Sequence, residues 1–292
     1  MNSELKFQNK NNIDSTFQFK CPICNLPLTL HSASYACKNK HTYDVSREGY
    51  VNLLLSQHKR SRHPGDSQEM IKSRQRFLNN GYYQVLSDAI IRCVDISAQT
   101  SSQRLLDIGC GEGYYMQQLR EVSNRASIPL FLAGIDVSKP GVLLAAKRKI
   151  DAQLAVISAF LLPFFDRSFD TVLSIFSPIC ASETTRILSD NGRIIMVGPG
   201  EQHLTGLTSH IYDRTIPHEG NYQVLDTAPE FKLQDQQEIK EIISVKGEDI
   251  LDLLNMTPYY WHIQLEQKHK LTTLDLLETS IHFYIRTYVK TN

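Results

Sequence analysis

Residues 104–120, RLLDIGCGEGYYMQQLR, decide the fold of this chain. The first part reads as the end of a buried strand, Asp107 follows it, and three glycines then alternate with other residues up to Gly113. The remainder has the spacing of apolar residues that is typical of a helix. Because glycine lets the backbone turn sharply and pass close beneath a ligand, these residues predict a strand, a ligand-binding loop and a helix in succession.

The spacing of the loop distinguishes between two kinds of nucleotide cofactor. A dinucleotide fingerprint reads G-x-G-x-x-G and holds a pyrophosphate at the N-terminus of the helix. Here the pattern is D-x-G-x-G-x-G, from Asp107 through Gly109 and Gly111 to Gly113. An acid two residues before the first glycine would repel a pyrophosphate, but it can bind the ammonium group of a methionine moiety. The loop therefore favours S-adenosylmethionine over NAD.

A second acid stands at the end of the next predicted strand, in FLAGIDVSK. Asp136 follows Gly113 by 23 positions, and an acid at about this distance can chelate both ribose hydroxyls of a nucleoside. The alternative is that Asp136 caps the following helix. Because the loop and this acid occur in the expected order and spacing, we favour the nucleoside-binding interpretation.

The third predicted strand ends at Ser158, and LPF at 162–164 precedes a fourth strand at 171–176. This tandem is typical of class I methyltransferases, in which the tip of the third strand flanks the adenine. The tip usually reads Asp-Ala, whereas this chain has Ser158-Ala159. We therefore expect the carboxylate contact to the adenine amine to be absent.

The order of elements predicts the fold class. Strands and helices alternate over 105–197, which predicts an α/β, Rossmann-like fold with a parallel sheet and helices on both faces. Residues 242–288 predict an antiparallel edge around a helix at 250–254. An N-terminal module precedes this domain.

Three cysteines and a histidine in CPICNLPLTLHSASYACKNKH, residues 21–41, have the spacing of a zinc site. The pattern C-x2-C-x12-C-x3-H offers two ligand pairs joined by a short hairpin at 28–36, and four protein ligands indicate a structural metal. His31 lies in the hairpin but lacks knuckle spacing, so we prefer His41 as the fourth ligand. The alternative is three free core cysteines beside a surface histidine. The predicted ligands are Cys21, Cys24, Cys37 and His41.

Composition and net charge indicate which partners and which cellular compartment to expect. Over 292 residues, 31 Lys and Arg balance 31 Asp and Glu, so net charge predicts no polyanionic partner. The chain lacks an apolar run long enough to span a membrane, and its polar N-terminus lacks the apolar region of a signal peptide. With six cysteines in all, these features predict a protein of the reducing cytoplasm.

Charge is locally uneven after the first cysteines. Residues 38–76 hold nine Lys and Arg against four Asp and Glu, a local net charge of +5. The densest part, QHKRSRHPGD at 57–66, contains Pro-Gly and predicts an exposed loop. Lys59, Arg60 and Arg62 would suit contacts to RNA phosphates. An ordinary solvated linker is the alternative.

These features divide the chain into four parts. We expect a disordered tail at 1–19, a zinc-binding module at 20–51, a basic linker and helix at 52–85, and a methyltransferase domain at 86–292. A helix is predicted at 67–78, and another begins near Tyr83. We expect loss of zinc to unfold the module and to leave the distant cofactor pocket intact.

One family combines all of these motifs. The order C-P-x-C…C-x3-H, REGYVNLLLSQHKRSR-x-PGDS, GYYQVL, LDIGCGEGYY, GIDVSK, LPF and MTPYYW resembles the bacterial, zinc-containing methyltransferases that modify N1 of a guanine in 23S ribosomal RNA. The resemblance runs from about residue 21 to the C-terminus. It implies S-adenosylmethionine as methyl donor, structural Zn²⁺, and a 23S rRNA hairpin as partner, with no membrane association; monomer and homodimer both stay open.

The resemblance also implies roles for individual residues. Tyr83 and His203 would lie beside the cofactor, although linker packing and a surface histidine are the alternatives. Phe176, Ser177 and Pro178 follow the fourth strand and could stack and position the base. A general base cannot be named, and Asp213, His218 and Glu219 are candidates by location only. The cofactor-binding set is Tyr83, Asp107, Gly109, Gly111, Gly113, Tyr115, Met116, Asp136, Ser158 and His203.

Two other functions compete with this interpretation. One is a methyltransferase that acts on a small molecule, with the zinc module purely structural. The other is a zinc-finger binding protein without enzymatic activity. The complete D-x-G-x-G-x-G loop argues against the second, and the module with its basic loop argues against the first, because a small substrate needs neither.

Overall fold

The computed structural model of the chain describes residues 18–58, 64–95, 102–212 and 220–291. Among these residues, no helix has both the length and the apolar character that a bilayer-spanning helix requires.

The N-terminal module is a small antiparallel sheet of three strands. β1 (Thr29–His31) and β2 (Ser34–Ala36) form the predicted hairpin, and β3 (Thr42–Asp44) pairs with β2. β4 (Tyr50–Asn52) belongs to the larger sheet of the main domain, although Val51 forms an antiparallel bridge with Val45 after β3. A 3₁₀ turn over Ser56–His58 follows it.

Two helices follow the basic loop at 57–66. α1 (Gln68–Asn79) begins after Ser67, whose hydroxyl accepts a hydrogen bond from the Met70 amide, so the helix has the polar N-cap that the sequence predicted. α2 (Gln84–Val94) begins directly after Tyr83, which confirms the second predicted helix.

The main domain alternates strands and helices and then ends in long antiparallel strands. Its first half contains β5 (Gln103–Ile108), α3 (Tyr114–Ala126), β6 (Leu130–Asp136), α4 (Lys139–Lys147), β7 (Gln153–Val156), β8 (Phe169–Ile175), α5 (Ala181–Ile187) and β9 (Leu188–Pro199). Its second half contains α6 (Thr205–Thr208), α7 (Gln223–Asp226), β10 (Phe231–Lys246), α8 (Asp249–Asn255), a 3₁₀ helix over Pro258–Trp261, α9 (Leu265–Thr272) and β11 (Leu276–Lys290).

The large sheet has eight strands in the order β10-β11-β9-β8-β5-β6-β7-β4. Strands β4 to β9 of this sheet pair in parallel, whereas β11 pairs antiparallel with β9 and with β10. The parallel centre and the antiparallel edge are both as predicted. The sequence did not predict that β4, which comes directly after the zinc-binding module, would be an edge strand of this sheet.

The N-terminal module shares a hydrophobic core with the main domain. Phe19, which the sequence placed at the end of the disordered tail, is buried and belongs with Leu28 to the same cluster of side chains as Ile157 and Phe164. The rings of Phe19 and Phe164 lie 5.4 Å apart, and the Lys20 amide donates to the Pro163 carbonyl at 2.8 Å. The module therefore packs against the main domain and is not an isolated appendage.

Candidate cofactor pocket and metal site

A cavity of about 940 Å³ lies at the carboxyl ends of the parallel strands. Its lining includes the loops that follow four strands, β5 to β8. Residues of α1 and of the segment after α8 also line it. In open α/β sheets this edge of the sheet is the usual place for a ligand. The cavity is therefore the candidate cofactor pocket.

The glycine-rich loop after β5 packs tightly against the loop after β8. Gly109 has φ +76°, and its amide donates to the Ile135 carbonyl at 2.8 Å. A Cβ atom at Gly109 would lie 2.0 Å from the Ser177 hydroxyl, so a larger residue would push the two loops apart. This close approach explains why the position requires glycine.

Asp107, at the end of β5, lines the cavity and is only 2 % exposed. Within the described residues its Oδ1 atom is buried without a hydrogen-bond partner. Burial, together with the nearby charge of Asp136, raises the pKa of Asp107 to about 7. A buried carboxylate oxygen without a partner is costly, and the ammonium group of a methionine moiety would supply the partner. The residues present thus fit S-adenosylmethionine.

Asp136, at the end of β6, is held by two backbone amides. Gly111 donates to its Oδ2 at 2.9 Å and Ser138 donates to its Oδ1 at 2.7 Å. Burial raises the pKa of this carboxyl, while the two amide hydrogen bonds oppose the increase. Each oxygen keeps acceptor capacity for a hydroxyl group. The alternative that Asp136 caps α4 is wrong, because the N-cap is Ser138, which accepts from the Gly141 amide.

Tyr83 and His203 meet in the cavity although they are 120 positions apart. Both side chains are buried, and the Tyr83 hydroxyl lies 3.5 Å from His203 Nε2. The backbone amide of His282 donates to His203 Nδ1 at 3.3 Å and fixes the ring. Burial raises the pKa of Tyr83, which therefore stays a neutral phenol. His203 is thus no surface histidine. Tyr83 lines the cavity and also packs against Phe77 and Phe283.

The loop after β8 presents an aromatic side chain at the cavity. Phe176 has φ +52°, which is uncommon for a residue other than glycine, and its side chain is 45 % exposed. Its ring stacks near the His203 ring at 6.1 Å between centroids, and its amide donates to the Val197 carbonyl at 3.0 Å. Ser177 and Pro178 also line the cavity. An unusual backbone conformation at such a place is a feature of functional sites.

Most of the predicted cofactor-binding residues line this cavity, but two do not. Met116 points toward the sheet, where a Cβ atom at Gly134 would lie 2.6 Å from its sulfur atom. Gly113 begins α3 and lies against Ala145 of α4. The residues of the set that line the cavity are Tyr83, Asp107, Gly109, Gly111, Tyr115, Asp136, Ser158 and His203.

Sequence reasoning missed the part of the cavity that α1 and the segment after α8 supply. Asp66 just before α1, Arg74 in α1 and Tyr259 after α8 line it. Asp66 and Tyr259 stand in two of the motifs quoted above, but those motifs do not show that these residues reach the cavity. Of the aromatic residues in MTPYYW, Tyr259 lines the cavity and packs partly against the core, whereas Trp261 is 64 % exposed.

The four predicted zinc ligands come together in the N-terminal module. Their ligand atoms all lie within 4.8 Å of one another. Cys24 Sγ and Cys37 Sγ are 3.6 Å apart, and His41 Nδ1 lies 3.5 Å from the sulfur atoms of Cys21 and Cys37. Tetrahedral zinc with these ligands places them about 3.6–3.8 Å apart. The donor set and its spacing fit zinc, and His31, exposed on β1, is outside the cluster.

The electrostatics of the cluster favour a thiolate. Burial opposes ionisation of Cys21, but hydrogen bonds from the Tyr43 hydroxyl and from the backbone amides of Cys24 and Ile23 lower the pKa of its thiol to about 6. Zinc binds thiolates and not thiols. Cys21 therefore ionises more readily than Cys24: against a hydrogen bond from the Leu26 amide, burial and the neighbouring sulfur atoms raise the pKa of the Cys24 thiol.

The proposed RNA-contacting residues Lys59, Arg60 and Arg62 lie outside the described residues. The same holds for Asp213, His218 and Glu219, the candidates for a general base.

The comparisons with known proteins cover both parts of the chain. The zinc-ribbon family described as "RlmA, N-terminal" matches residues 19–62, and the family described as "Methyltransferase domain" matches residues 99–247. A putative 23S rRNA (guanine-N(1)-)-methyltransferase, YxjB of Bacillus subtilis strain 168, is 36% identical over 200 residues, which are 66% of this chain and 68% of that protein.

This chain belongs to the 23S rRNA (guanine-N1)-methyltransferase family. A further relative is the 23S rRNA (guanine(748)-N(1))-methyltransferase of Streptomyces fradiae, 29% identical over 246 residues, or 83% of this chain and 85% of that protein. A demethylmenaquinone methyltransferase of Thermotoga maritima is 28% identical over 140 residues, but these are only 44% of this chain and 59% of that protein. The methyltransferase domain of this chain is S-adenosylmethionine-dependent, and the N-terminal module is a zinc ribbon.

Proposed function

We propose that this chain transfers a methyl group from S-adenosylmethionine to N1 of one guanine in a hairpin of 23S ribosomal RNA. The observation that carries the proposal is the buried Oδ1 of Asp107, which has no hydrogen-bond partner in the described part of the chain, together with the zinc ribbon of this family. Because ribosomal RNA is made and assembled in the bacterial cytoplasm, the proposed activity places the chain there.

The cofactor would supply an electrophilic methyl carbon on a sulfonium. Guanine N1 attacks it in line, the carbon–sulfur bond breaks, S-adenosylhomocysteine leaves as a neutral thioether, and the N1 proton is released. Most of the catalytic effect then comes from alignment of the reacting atoms. Asp107 would hold the amino group of the cofactor, Asp136 its ribose, and Ser158 would flank its adenine. These three residues end β5 and β6 and follow β7, so the rigid sheet sets their spacing.

Phe176 would hold the guanine. A base in a hairpin must leave its stack before an enzyme can reach it, and an aromatic side chain can replace the lost stacking. The half-exposed ring of Phe176 offers one face to such a base, while its backbone is fixed by Val197. Ser174 donates to the Ser177 carbonyl at 2.8 Å and holds the same loop.

A transfer assay with labelled methyl donor tests this function. We expect the purified chain to label a 23S rRNA hairpin transcript, and we expect a guanine-to-adenine change at the labelled position to abolish transfer. Asp136→Ala serves as the matched inactive protein. Absence of label in every rRNA transcript, together with label in a quinol or another small acceptor, would instead support the small-molecule methyltransferase.

A further inference from the structure

Arg74 lines the cofactor cavity from α1, and neither the motifs nor the mechanism above uses it. Two partners fix its guanidinium group. Its Nη2 forms an ion pair with Asp66 at 2.6 Å and donates to the Met256 carbonyl at 3.1 Å. The side chain is 29% exposed, so it is partly withdrawn from solvent and held in one place.

The other terminal nitrogen of Arg74 faces the glycine-rich loop. A Cβ atom built at Gly111 would lie 3.7 Å from Arg74 Nη1, which is the one neighbouring atom within 4 Å among the described residues. This is van der Waals distance, so Arg74 Nη1 lies directly beside the loop, on the wall of the cavity that both residues line. A ligand group in the cavity next to Gly111 would therefore lie close to a guanidinium donor.

The charges around the cavity are unequal. Four carboxylates line it, and Arg74 is the one lysine or arginine of the described residues that does so. Glu112 forms an ion pair with Arg148, Asp66 forms one with Arg74, and Asp136 accepts hydrogen bonds from two backbone amides. The methionine end of S-adenosylmethionine carries a carboxylate as well as an ammonium group. Asp107 fits the ammonium, and the carboxylate requires a cation nearby.

We propose that Arg74 binds the α-carboxylate of S-adenosylmethionine. This inference rests on the proposed function. Guanidinium groups suit carboxylates because their planar donors match the two oxygen atoms. Asp66 and Met256 hold the guanidinium in place before the cofactor arrives, which lowers the entropy cost of forming the contact. Arg74 and Asp107 together recognise an amino acid by both of its charged groups.

Calorimetry on matched variants separates this role from helix packing. Arg76 lies on the same helix, is bound to Asp252 of α8 at 2.8 Å and does not line the cavity. We expect Arg74→Gln to weaken binding of S-adenosylmethionine and S-adenosylhomocysteine about tenfold to a hundredfold, and Arg76→Gln to change it less than about twofold. An equal loss in both variants would mean that Arg74 only fastens α1 to α8, and would overturn the proposal.

A decarboxylated cofactor tests the chemical group itself. We expect the wild-type protein to prefer S-adenosylmethionine over decarboxylated S-adenosylmethionine by about tenfold or more, and Arg74→Gln to bind the two alike. If Arg74→Gln keeps the wild-type preference, the proposal is wrong, even if RNA binding is weakened through a lost phosphate contact. A wild-type protein that binds neither compound would contradict the proposed function as well.

Discussion

The ring of Phe19 packs 5.4 Å from the ring of Phe164, and this contact joins the zinc ribbon to the methyltransferase domain. The two residues belong to a core that also contains Cys21 and Cys37, which are two of the zinc ligands. Beyond the ribbon, β4 pairs in parallel with β7, and the Leu53 amide donates to the Val156 carbonyl at 3.0 Å. Val156 lies two residues before Ser158, which lines the cofactor cavity.

This shared core changes the expected effect of losing zinc. The sequence suggested that the ribbon would unfold and leave the pocket intact, but the ribbon covers the sheet edge that carries Ser158. We expect Cys24→Ser to lose zinc, to lower the Tm of the whole protein by several degrees, and to weaken cofactor binding a few-fold. Cys180→Ser, outside the cluster, is the control. Metal analysis that finds a full equivalent of zinc in Cys24→Ser would contradict the assignment.

Asp107 makes the stability of the cofactor-free protein depend on pH. Its pKa is about 7 in the folded chain and about 3.9 in an unfolded chain. The folded state therefore binds more protons between these values, and stability decreases as pH rises from about 4 to 7. We expect Asp107→Asn to be more stable than the wild type at pH 8 and of similar stability near pH 4. Thermal unfolding across this range, without cofactor, measures the difference.

The same carboxyl makes cofactor binding depend on pH. An ammonium group requires the ionised form of Asp107, so binding below pH 7 must release a proton. We expect the affinity for S-adenosylmethionine to fall by up to about tenfold per pH unit below 7, and this dependence to vanish in Asp107→Asn, which binds weakly throughout. A wild-type affinity that is constant from pH 5.5 to 8 would show that the pocket has been misinterpreted.

Short-range patterns predicted the parts of the site that one loop builds. Asp107 and Asp136 could be placed because each stands at the end of a strand of a parallel sheet, where chain order determines spatial order. Gly109 and Gly111 could be placed because they directly follow the first of these strands. The zinc ligands could be predicted because the spacing of three cysteines and one histidine is itself a local pattern.

Long-range packing determined what the sequence could not predict. Arg74 reaches the cavity because α1 packs on α8, and its hydrogen bond to the Met256 carbonyl joins residues 182 positions apart. Met116 was misplaced because its position in the motif does not show which face of α3 it occupies. β4 is a strand of three residues, too short to show a period.

The Phe176 side chain should contribute to the methylation of RNA and not to the binding of the cofactor. Stacking of one base on an aromatic side chain contributes about 1–3 kcal/mol, so we expect Phe176→Ala to lower kcat/KM for RNA by about fivefold to 150-fold. Affinity for S-adenosylmethionine should change less than about twofold. The control variant is Phe131→Ala. Phe131 is an exposed aromatic residue near the start of β6, at the end of the strand away from Asp136. A large loss of cofactor affinity in Phe176→Ala would assign this ring to the cofactor instead.

The basic loop at 57–66 should contribute to the affinity for RNA without a preference for RNA sequence. If Lys59, Arg60 and Arg62 contact phosphates, replacing all three by Gln should weaken RNA binding evenly and reduce the slope of log K against log salt by about 2–3. Cofactor affinity should not change. Titrations at three salt concentrations measure the slope. A control with the same loss of charge replaces three exposed lysines of β10 by Gln: Lys232, Lys240 and Lys246. Equal effects of both triple variants would show that only net charge matters.

Primer-extension mapping of 23S rRNA tests the central claim most directly, because a methyl group on guanine N1 blocks base pairing and stops reverse transcription. RNA would be compared from cells with this gene, cells without it, and cells that carry Asp136→Ala. We predict a stop at one guanine of a 23S rRNA hairpin with the wild-type gene, its absence without the gene, and a much weaker stop with the variant. An identical pattern of stops in all three RNA samples would contradict the account.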